Sequence, residues 1–133
     1  MAVSEAVRVG PPFSSEQTVF GHGIYLVVVG LVLFLAPGVL RIALPFPAEF
    51  DWWTRVLALP VFNLGVFCIT AATVKSKPLI KLATATRVVV MVSLAVLVAL
   101  RAVPAIAFGI GIIDLISAGL TAWALAAEAQ PRR

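Results

Sequence analysis

The residues best suited to do chemistry in this chain are charged and polar side chains inside otherwise apolar stretches. Asp114 lies near the middle of FGIGIIDLISAGLTAW, residues 108–123, and Arg87 lies within another apolar run. Inserting an ionisable side chain at the centre of a membrane span costs roughly 2.5–3.5 kcal/mol, so such a residue is a candidate functional group by default. We therefore expect Asp114 to face the interior of a helix bundle and to have a partner there.

Arg87 and Asn63 are the predicted partners of Asp114. Asn63 and Asp114 each lie about ten residues into their own apolar runs, which places them at about the same depth. Arg87 is expected roughly 6 Å nearer to the cytoplasmic boundary, an offset that a long arginine side chain covers. Because an arginine–carboxylate pair satisfies two expensive groups together, we expect Arg87 to be the main partner and Asn63 to donate a further hydrogen bond.

His22, Tyr25 and Thr121 are secondary candidates. His22 and Tyr25 lie near one end of the first apolar run, at about the expected height of Arg87. Thr121 shares one helical face with Asp114 and with small or polar residues at helical spacing, namely Gly111, Ser117 and Ala118. The single histidine has no second His, Cys or carboxylate close to it in the sequence, so no metal site is predicted.

Two interpretations of these polar residues stay open. In the first, Arg87, Asp114 and Asn63 only fix which helices pack together and in which register. In the second, they form a ligand site or a proton site inside the membrane. A membrane enzyme is less favoured, because no nucleophile is paired with a base and the chain has no GxSxG, HExxH or phosphate-binding glycine loop. The sequence therefore predicts no catalytic residue and no cofactor.

The composition indicates an integral membrane protein. Of the 133 residues, 62% are hydrophobic and 12% are charged, whereas soluble domains have about 45–50% and about 25%. Too little polar surface is left to coat a water-soluble globule, so the lipid bilayer is the first predicted partner. The net charge is +4, but the basic residues are not interleaved with aromatic ones, so we expect no nucleic-acid partner.

Four apolar runs predict an all-α membrane protein with an antiparallel four-helix transmembrane bundle. About 20 helical residues cross a hydrocarbon core of about 30 Å. The predicted spans are residues 20–40, 53–74, 82–100 and 104–127, between an N-terminal tail, 1–19, and a C-terminal tail, 128–133. Gly23, Gly30 and Pro37 recur every seven residues and should admit a neighbouring helix closely.

Local signals mark the ends of these spans and their orientation. Ser15 or Thr18 is expected to cap the first helix, and Trp52 and Trp53 are expected to be interfacial aromatic anchors. Lysines in the second connection and two arginines at the C-terminus fall on one side of a four-span protein: Lys75, Lys77, Lys81, Arg132 and Arg133. The positive-inside rule then predicts that both termini lie in the cytoplasm, and the inner membrane is the expected location.

Several short motifs resemble a known group of proteins. They are Trp53-Thr54-Arg55 at the start of the second span, Arg87 in the third, and Phe108-Gly109, Asp114, Gly119 and Thr121-Ala122-Trp123 in the fourth. Over about residues 20–126 the chain resembles small bacterial four-helix integral membrane proteins that are loosely DoxX-like. The resemblance implies an antiparallel four-helix bundle and a role as a membrane partner of redox or stress systems.

The favoured function is that of a non-enzymatic accessory or interaction subunit, working in a larger membrane complex or in a homo-oligomer. Other membrane protein subunits or a second copy of the chain would be its partners, because a protein without large polar loops has only helix faces to offer. The alternative is a small transporter, channel or hydrophobic-ligand binder that uses the cluster of Arg87, Asp114 and Asn63. Four helices enclose little volume, so transport would require a dimer.

Overall fold

The chain folds into α-helices, as seen in a computed structural model that describes residues 11–43, 47, 49, 51–103, 105 and 107–130. Four of the helices are long and apolar enough to cross a membrane. The helices are α1 (Ser15–Leu35), the single turn α2 (Leu40–Ala43), α3 (Asp51–Thr73), α4 (Lys77–Ala99) and α5 (Ala107–Glu128), with a 3-10 turn at Pro37–Val39. The prediction of an all-α bundle with four long apolar helices is confirmed.

Helix α1 begins five residues before the predicted span because a capping box starts it. The Ser14 hydroxyl accepts a hydrogen bond from the backbone N–H of Gln17, and the Gln17 side chain accepts one from the N–H of Ser14. Ser14, rather than Ser15 or Thr18, is therefore the cap. The helix ends at Leu35, five residues before the predicted end of the span, because Pro37 starts a 3-10 turn.

The other helices also differ from the predicted spans at their ends. Helix α3 begins at Asp51 and continues through Pro60 to Thr73. Helix α4 begins at Lys77, five residues before the predicted start. Pro78 lies in its first turn, where a backbone N–H has no partner within the helix, so a proline there costs no hydrogen bond. Residues 1–10, 44–46, 48, 50, 104, 106 and 131–133 lie outside the described residues, so the predicted start at Pro104 and about half of each predicted tail do too.

Helices α1 and α3 pack with their backbones in contact. A Cβ atom on Gly65 would lie 2.7–2.8 Å from the backbone of Val27 and Gly23, and one on Gly30 would lie 2.8 Å from Phe62. No side chain larger than hydrogen fits at these positions without moving a helix. The predicted close approach along the stripe of Gly23 and Gly30 is thus present, and small residues of α3 supply the matching face: Ala58, Gly65, Cys68 and Ala72, all buried.

Helices α4 and α5 form the second pair, and most of the buried core lies in the half of the bundle that contains Lys77. The core there includes Val19, Cys68, Ala71, Ile80 and Ala83. In α4 the buried residues all belong to its first eleven, from Ile80 to Arg87. Beyond them, Met91 still contacts α5 at Gly111, while the outward side of α4 is exposed.

A polar network ties three helix ends together at this end of the bundle, which we call the Lys77 end. The Lys77 ammonium donates to a Glu128 carboxylate oxygen at 2.6 Å and forms an ion pair with Glu16. The other Glu128 oxygen accepts from the backbone N–H of Ser15 at 2.8 Å, and the Ser15 hydroxyl donates to Glu128 at 2.8 Å. Helices α1, α4 and α5 are thereby held at one level, which fixes the relative heights of residues deeper in the bundle.

Candidate functional site inside the bundle

The structure brings together most of the polar residues that the sequence singled out. We call this group the interior cluster; its members come from α1, α4 and α5 and are His22, Tyr25, Arg87, Asp114, Ser117 and Thr121. They lie on the inward faces of their helices, where Thr121, Arg87 and His22 are buried. The predicted inner face of the fourth span is confirmed, since Gly111, Ala118 and Thr121 are buried as well.

His22 is the closest charged or ionisable partner of Asp114. The His22 Nε2 atom lies 3.4 Å from the Asp114 Oδ1 atom, and only 4% and 16% of the two side chains are exposed. The contact links α1 to α5. Tyr25, one turn along α1, packs against the imidazole with the ring centroids 5.7 Å apart. An imidazole and a carboxylate at this distance are able to share a proton when the contact tightens.

Arg87 is almost fully buried, with 2% exposure, and donates to hydroxyl groups of α5. Its Nη1 atom lies 2.9 Å from the Ser117 hydroxyl and 3.4 Å from that of Thr121. The Cys68 thiol of α3 lies near the same guanidinium group. The Nε and Nη2 atoms are buried without a hydrogen-bond partner among the described residues, although a guanidinium carries five N–H donors.

Arg87 and Asp114 lie close enough to interact electrostatically, but the nearest partners of each are other residues. The Lys77 end explains this arrangement. Lys77 is bonded to Glu128, so Arg87, ten residues further along α4, is level with about residue 118 of α5. Asp114 lies a further turn away, and the guanidinium meets the hydroxyls of Ser117 and Thr121 first. The preference for Arg87 as the direct partner of Asp114 thus gives way to His22.

Asn63 is not part of the interior cluster. Asn63 is exposed on the outward side of α3. Thr54, which lies nine residues or about two and a half turns earlier in the helix, is buried. Asn63 therefore points almost directly away from the packed face of its helix. The expected hydrogen bond from Asn63 to Asp114 is absent, because the small residues that admit α1 occupy the other side of α3.

Trp52 and Trp53 lie in the first turn of α3, where their rings stack with centroids 4.6 Å apart. Both are exposed, by 58% and 46%. Asp51 beside them forms an ion pair with Arg41 at 3.5 Å. Stacked indoles next to a charged pair at the end of an apolar helix are typical of a membrane–water boundary. Their function as interfacial anchors stays a prediction.

The interior cluster provides proton-sharing and hydrogen-bonding groups and no nucleophile paired with a base. In the described part of the chain, no three His, Cys, Asp or Glu side chains are arranged to hold a metal ion. Around the described residues, open clefts of about 410, 450 and 150 Å³ lie at the ends of the helices, and His22, Arg87 and Asp114 do not line these three. The contacts of the interior cluster join α1 to α5 and α4 to α5.

Sequence reasoning missed two features that a finer use of spacing would have found. The sequence places Ser117 on the same helix face as Asp114, but the hydrogen bond that Ser117 accepts from Arg87 was not predicted. Ala58, Gly65 and Ala72 recur every seven residues in α3 and identify its packed face, and Asn63 falls outside that stripe. Residue spacing could not have predicted the network of Ser15, Glu16, Lys77 and Glu128, because this network forms only where three helix ends meet in space.

No protein-family model, curated protein or solved structure matches this chain.

Proposed function

We propose that this small multi-pass membrane protein is a non-enzymatic interaction subunit, which works by presenting helix faces to other membrane proteins or to further copies of itself. The observation that carries the proposal is the limited burial of its long apolar helices. In the apolar 18-residue segment of each long helix, the share of residues that are buried is 28% in α1, 28% in α3, 11% in α4 and 22% in α5. Most residues of these segments are therefore at least partly exposed.

The connections support the same conclusion. Helices α3 and α4 are joined by three residues, 74–76, and α4 and α5 by seven, 100–106. These two connections are too short to form a binding domain in water, which favours a partner that contacts the helices within the membrane. Association between such faces depends on van der Waals packing and on hydrogen bonds between polar side chains.

We further propose that the chain is a bacterial inner-membrane protein, loosely DoxX-like, with both termini in the cytoplasm. The shared level of Ser15 and Glu128 supports placing the chain ends on one side, since these residues are hydrogen bonded to each other. Lys75, Lys77 and Lys81 lie at the same end and favour the cytoplasmic side under the positive-inside rule. A membrane partner of a redox or stress system is the role that the family resemblance supports.

The test is the mass of the full chain extracted from its native membrane into lipid nanodiscs and analysed by native mass spectrometry. We expect complexes heavier than one chain, composed of several copies or of this chain with another membrane protein. A protein that is strictly monomeric and without partners at native protein-to-lipid ratios would contradict the proposal. Gentle extraction into nanodiscs is essential, since detergent competes for the same helix faces.

A second candidate function is a proton or ligand site within the membrane. One observation favours it: the buried Arg87 guanidinium has two nitrogen atoms without a partner, next to the contact between His22 and Asp114. Buried unpaired donors in hydrocarbon are expensive and are often found where a bound group satisfies them. Replacement of Asp114 with Asn distinguishes this candidate from a purely structural cluster, because a structural role predicts lost stability and a functional role predicts lost proton flux or ligand binding.

A further inference from the structure

We infer that two copies of the chain associate side by side through the outward face of α3, with the Asn63 side chains of the two copies hydrogen bonded to each other. The inference rests on the proposed function, for which it names the partner and the surface. It concerns a residue that takes no part in the interior cluster.

The first observation is an unsatisfied amide in the middle of a span. Asn63 lies twelve residues after the start of α3 and ten before its end, which places it near the centre of the hydrocarbon layer. Its side chain is exposed, and no group among the described residues forms a hydrogen bond with the amide. In lipid no water is present to replace the missing partner, so a protein partner is favoured.

Other outward polar side chains in the described spans differ from Asn63 in this respect. Each of their hydroxyls donates to the backbone carbonyl one turn earlier in its own helix: Thr70 to Val66, Thr73 to Ile69, Thr86 to Leu82 and Ser93 to Val89. A hydroxyl is satisfied in this way, whereas an amide carries two donors and an acceptor oxygen. Among these outward polar residues, Asn63 is therefore the one whose side chain still requires a hydrogen-bond partner.

The second observation is the pattern around Asn63. Exposed residues of α3 recur at alternating steps of four and three, which is the spacing of a helix–helix seam: Trp52, Val56, Leu59, Asn63, Val66 and Thr70. We call this set the α3 stripe. It runs the length of the helix on the side opposite to the face that packs on α1. Its members are mostly apolar or β-branched, and one polar residue stands at its centre.

The third observation concerns the identity of the partner. The two copies share one orientation in the membrane, so a two-fold axis along the membrane normal makes their α3 helices parallel and brings each residue of the stripe to its own counterpart. An amide is complementary to itself, because the donor of one copy meets the acceptor of the other. A single asparagine in an otherwise apolar seam specifies pairing and register in this manner. A second copy therefore fits the stripe with no further assumption.

The experiment measures self-association of the full chain in lipid vesicles. Donor- and acceptor-labelled copies are mixed, and energy transfer is followed as the protein-to-lipid ratio is lowered. We expect wild-type dimers, an apparent dissociation constant raised about tenfold or more by Asn63→Leu, and partial retention by Asn63→Gln, which keeps the amide. Ser93→Ala is the control: it removes an outward polar group of α4 that already has its hydrogen bond, and dimerisation should be unchanged.

A second measurement tests the geometry. Cysteine is introduced in place of Val66 in the stripe or of Val28, which is exposed near the middle of α1. Disulfides form only between Cα atoms within about 7 Å, so oxidation should cross-link copies with Val66→Cys and leave copies with Val28→Cys as monomers. The buried Cys68 is common to both variants, so its contribution cancels.

Three outcomes would overturn the inference. A wild-type chain that stays monomeric at all ratios, or an Asn63→Leu variant with unchanged energy transfer, removes the second copy from the stripe. Loss of a different membrane protein from Asn63→Leu complexes, with self-association intact, assigns the stripe to that protein; the proposed function then stands and the inference fails. Because Asn63 faces outward, we expect Asn63→Leu to fold normally. Helicity and unfolding equal to those of the wild type show that these outcomes do not result from misfolding.

Discussion

At the scale of single residues, the feature that most constrains the molecule is the buried guanidinium of Arg87. Its Nη1 atom reaches two hydroxyls, while Nε and Nη2 are unpaired. Asp114, which itself contacts His22, is the carboxylate within electrostatic range of this charge. A buried charge of this kind is stabilised by its counter-charge, and loss of one member leaves the other uncompensated in a medium of low dielectric constant.

We predict that Asp114→Asn lowers the free energy of unfolding by about 3–5 kcal/mol, because it leaves the Arg87 charge buried and uncompensated. The double variant Asp114→Leu with Arg87→Met removes both charges and should lose much less stability, or none. Denaturant-induced unfolding in mixed micelles measures both variants. A double variant less stable than Asp114→Asn would show that the charges are not coupled.

The same substitution tests the proton or ligand site. Proteoliposomes containing a pH-sensitive dye report any proton flux that the wild-type chain carries. An Asp114→Asn protein that unfolds like the wild type but loses a wild-type flux would favour the functional site over a structural contact. Loss of stability in a chain that carries no flux favours the packing role of the interior cluster.

At the scale of helices, the contact between α1 and α3 depends on glycines, because a residue without a side chain lets the two backbones meet. The Cβ positions of Gly23, Gly30 and Gly65 are occupied by the opposite helix at 2.7–2.9 Å. Such a close approach maximises dispersion contacts between backbones, which is the main attraction between helices in lipid. Gly21 and Gly119 have open space at their Cβ positions and are therefore not needed for packing.

We predict that Gly65→Leu destabilises the protein by about 3 kcal/mol or more, because the new side chain must displace the α1 backbone at Val27. Gly119→Leu adds the same side chain to an exposed position of α5 and should have little effect. The melting temperatures of the two variants in lipid nanodiscs give the comparison. Similar melting temperatures would contradict the close contact between α1 and α3.

The helices illustrate what the sequence was able to predict. Apolar length gave four spans, and the spacing of Gly23 and Gly30 gave the packed face of α1, because both are properties of one helix. The partners of Arg87 and Asp114 depend on relative heights, which are set by the contacts of Lys77 and Glu128 at distant positions in the chain. Depth estimates alone placed Asn63 beside Asp114, since depth contains no information on which way a side chain faces.

At the scale of the whole molecule, the Lys77 end closes the bundle. One ammonium group joins Glu16 of α1 to Glu128 of α5, and Ser15 adds two hydrogen bonds to Glu128. The side chains are partly exposed, with Lys77 at 44%, so each ion pair alone contributes little. Their effect is mainly geometric, because they align three helices that are far apart in the sequence.

We predict that Lys77→Met lowers the free energy of unfolding by about 1 kcal/mol at low ionic strength and by less at high salt, where such pairs are screened. The variant leaves Glu16 and Glu128 facing each other without a cation. Lys81→Met removes an equal charge at an exposed position of the same helix and serves as the control. Thermal unfolding at two salt concentrations reports the difference; an equal effect of both variants would contradict the network.

The uneven distribution of polarity between the two helix pairs has a consequence for biosynthesis. Helices α1 and α3 meet through glycines and need nothing from the rest of the chain, so they are able to join as soon as Thr73 has left the ribosome. Arg87 follows, but the helix that carries its hydroxyl and carboxylate partners is complete only at Glu128, which is made 41 residues after Arg87. At 5–20 residues per second that delay is about 2–8 s. Because an unpaired cation is costly in lipid, we expect the nascent third span to wait at the translocon during this interval, until the last span supplies its partners.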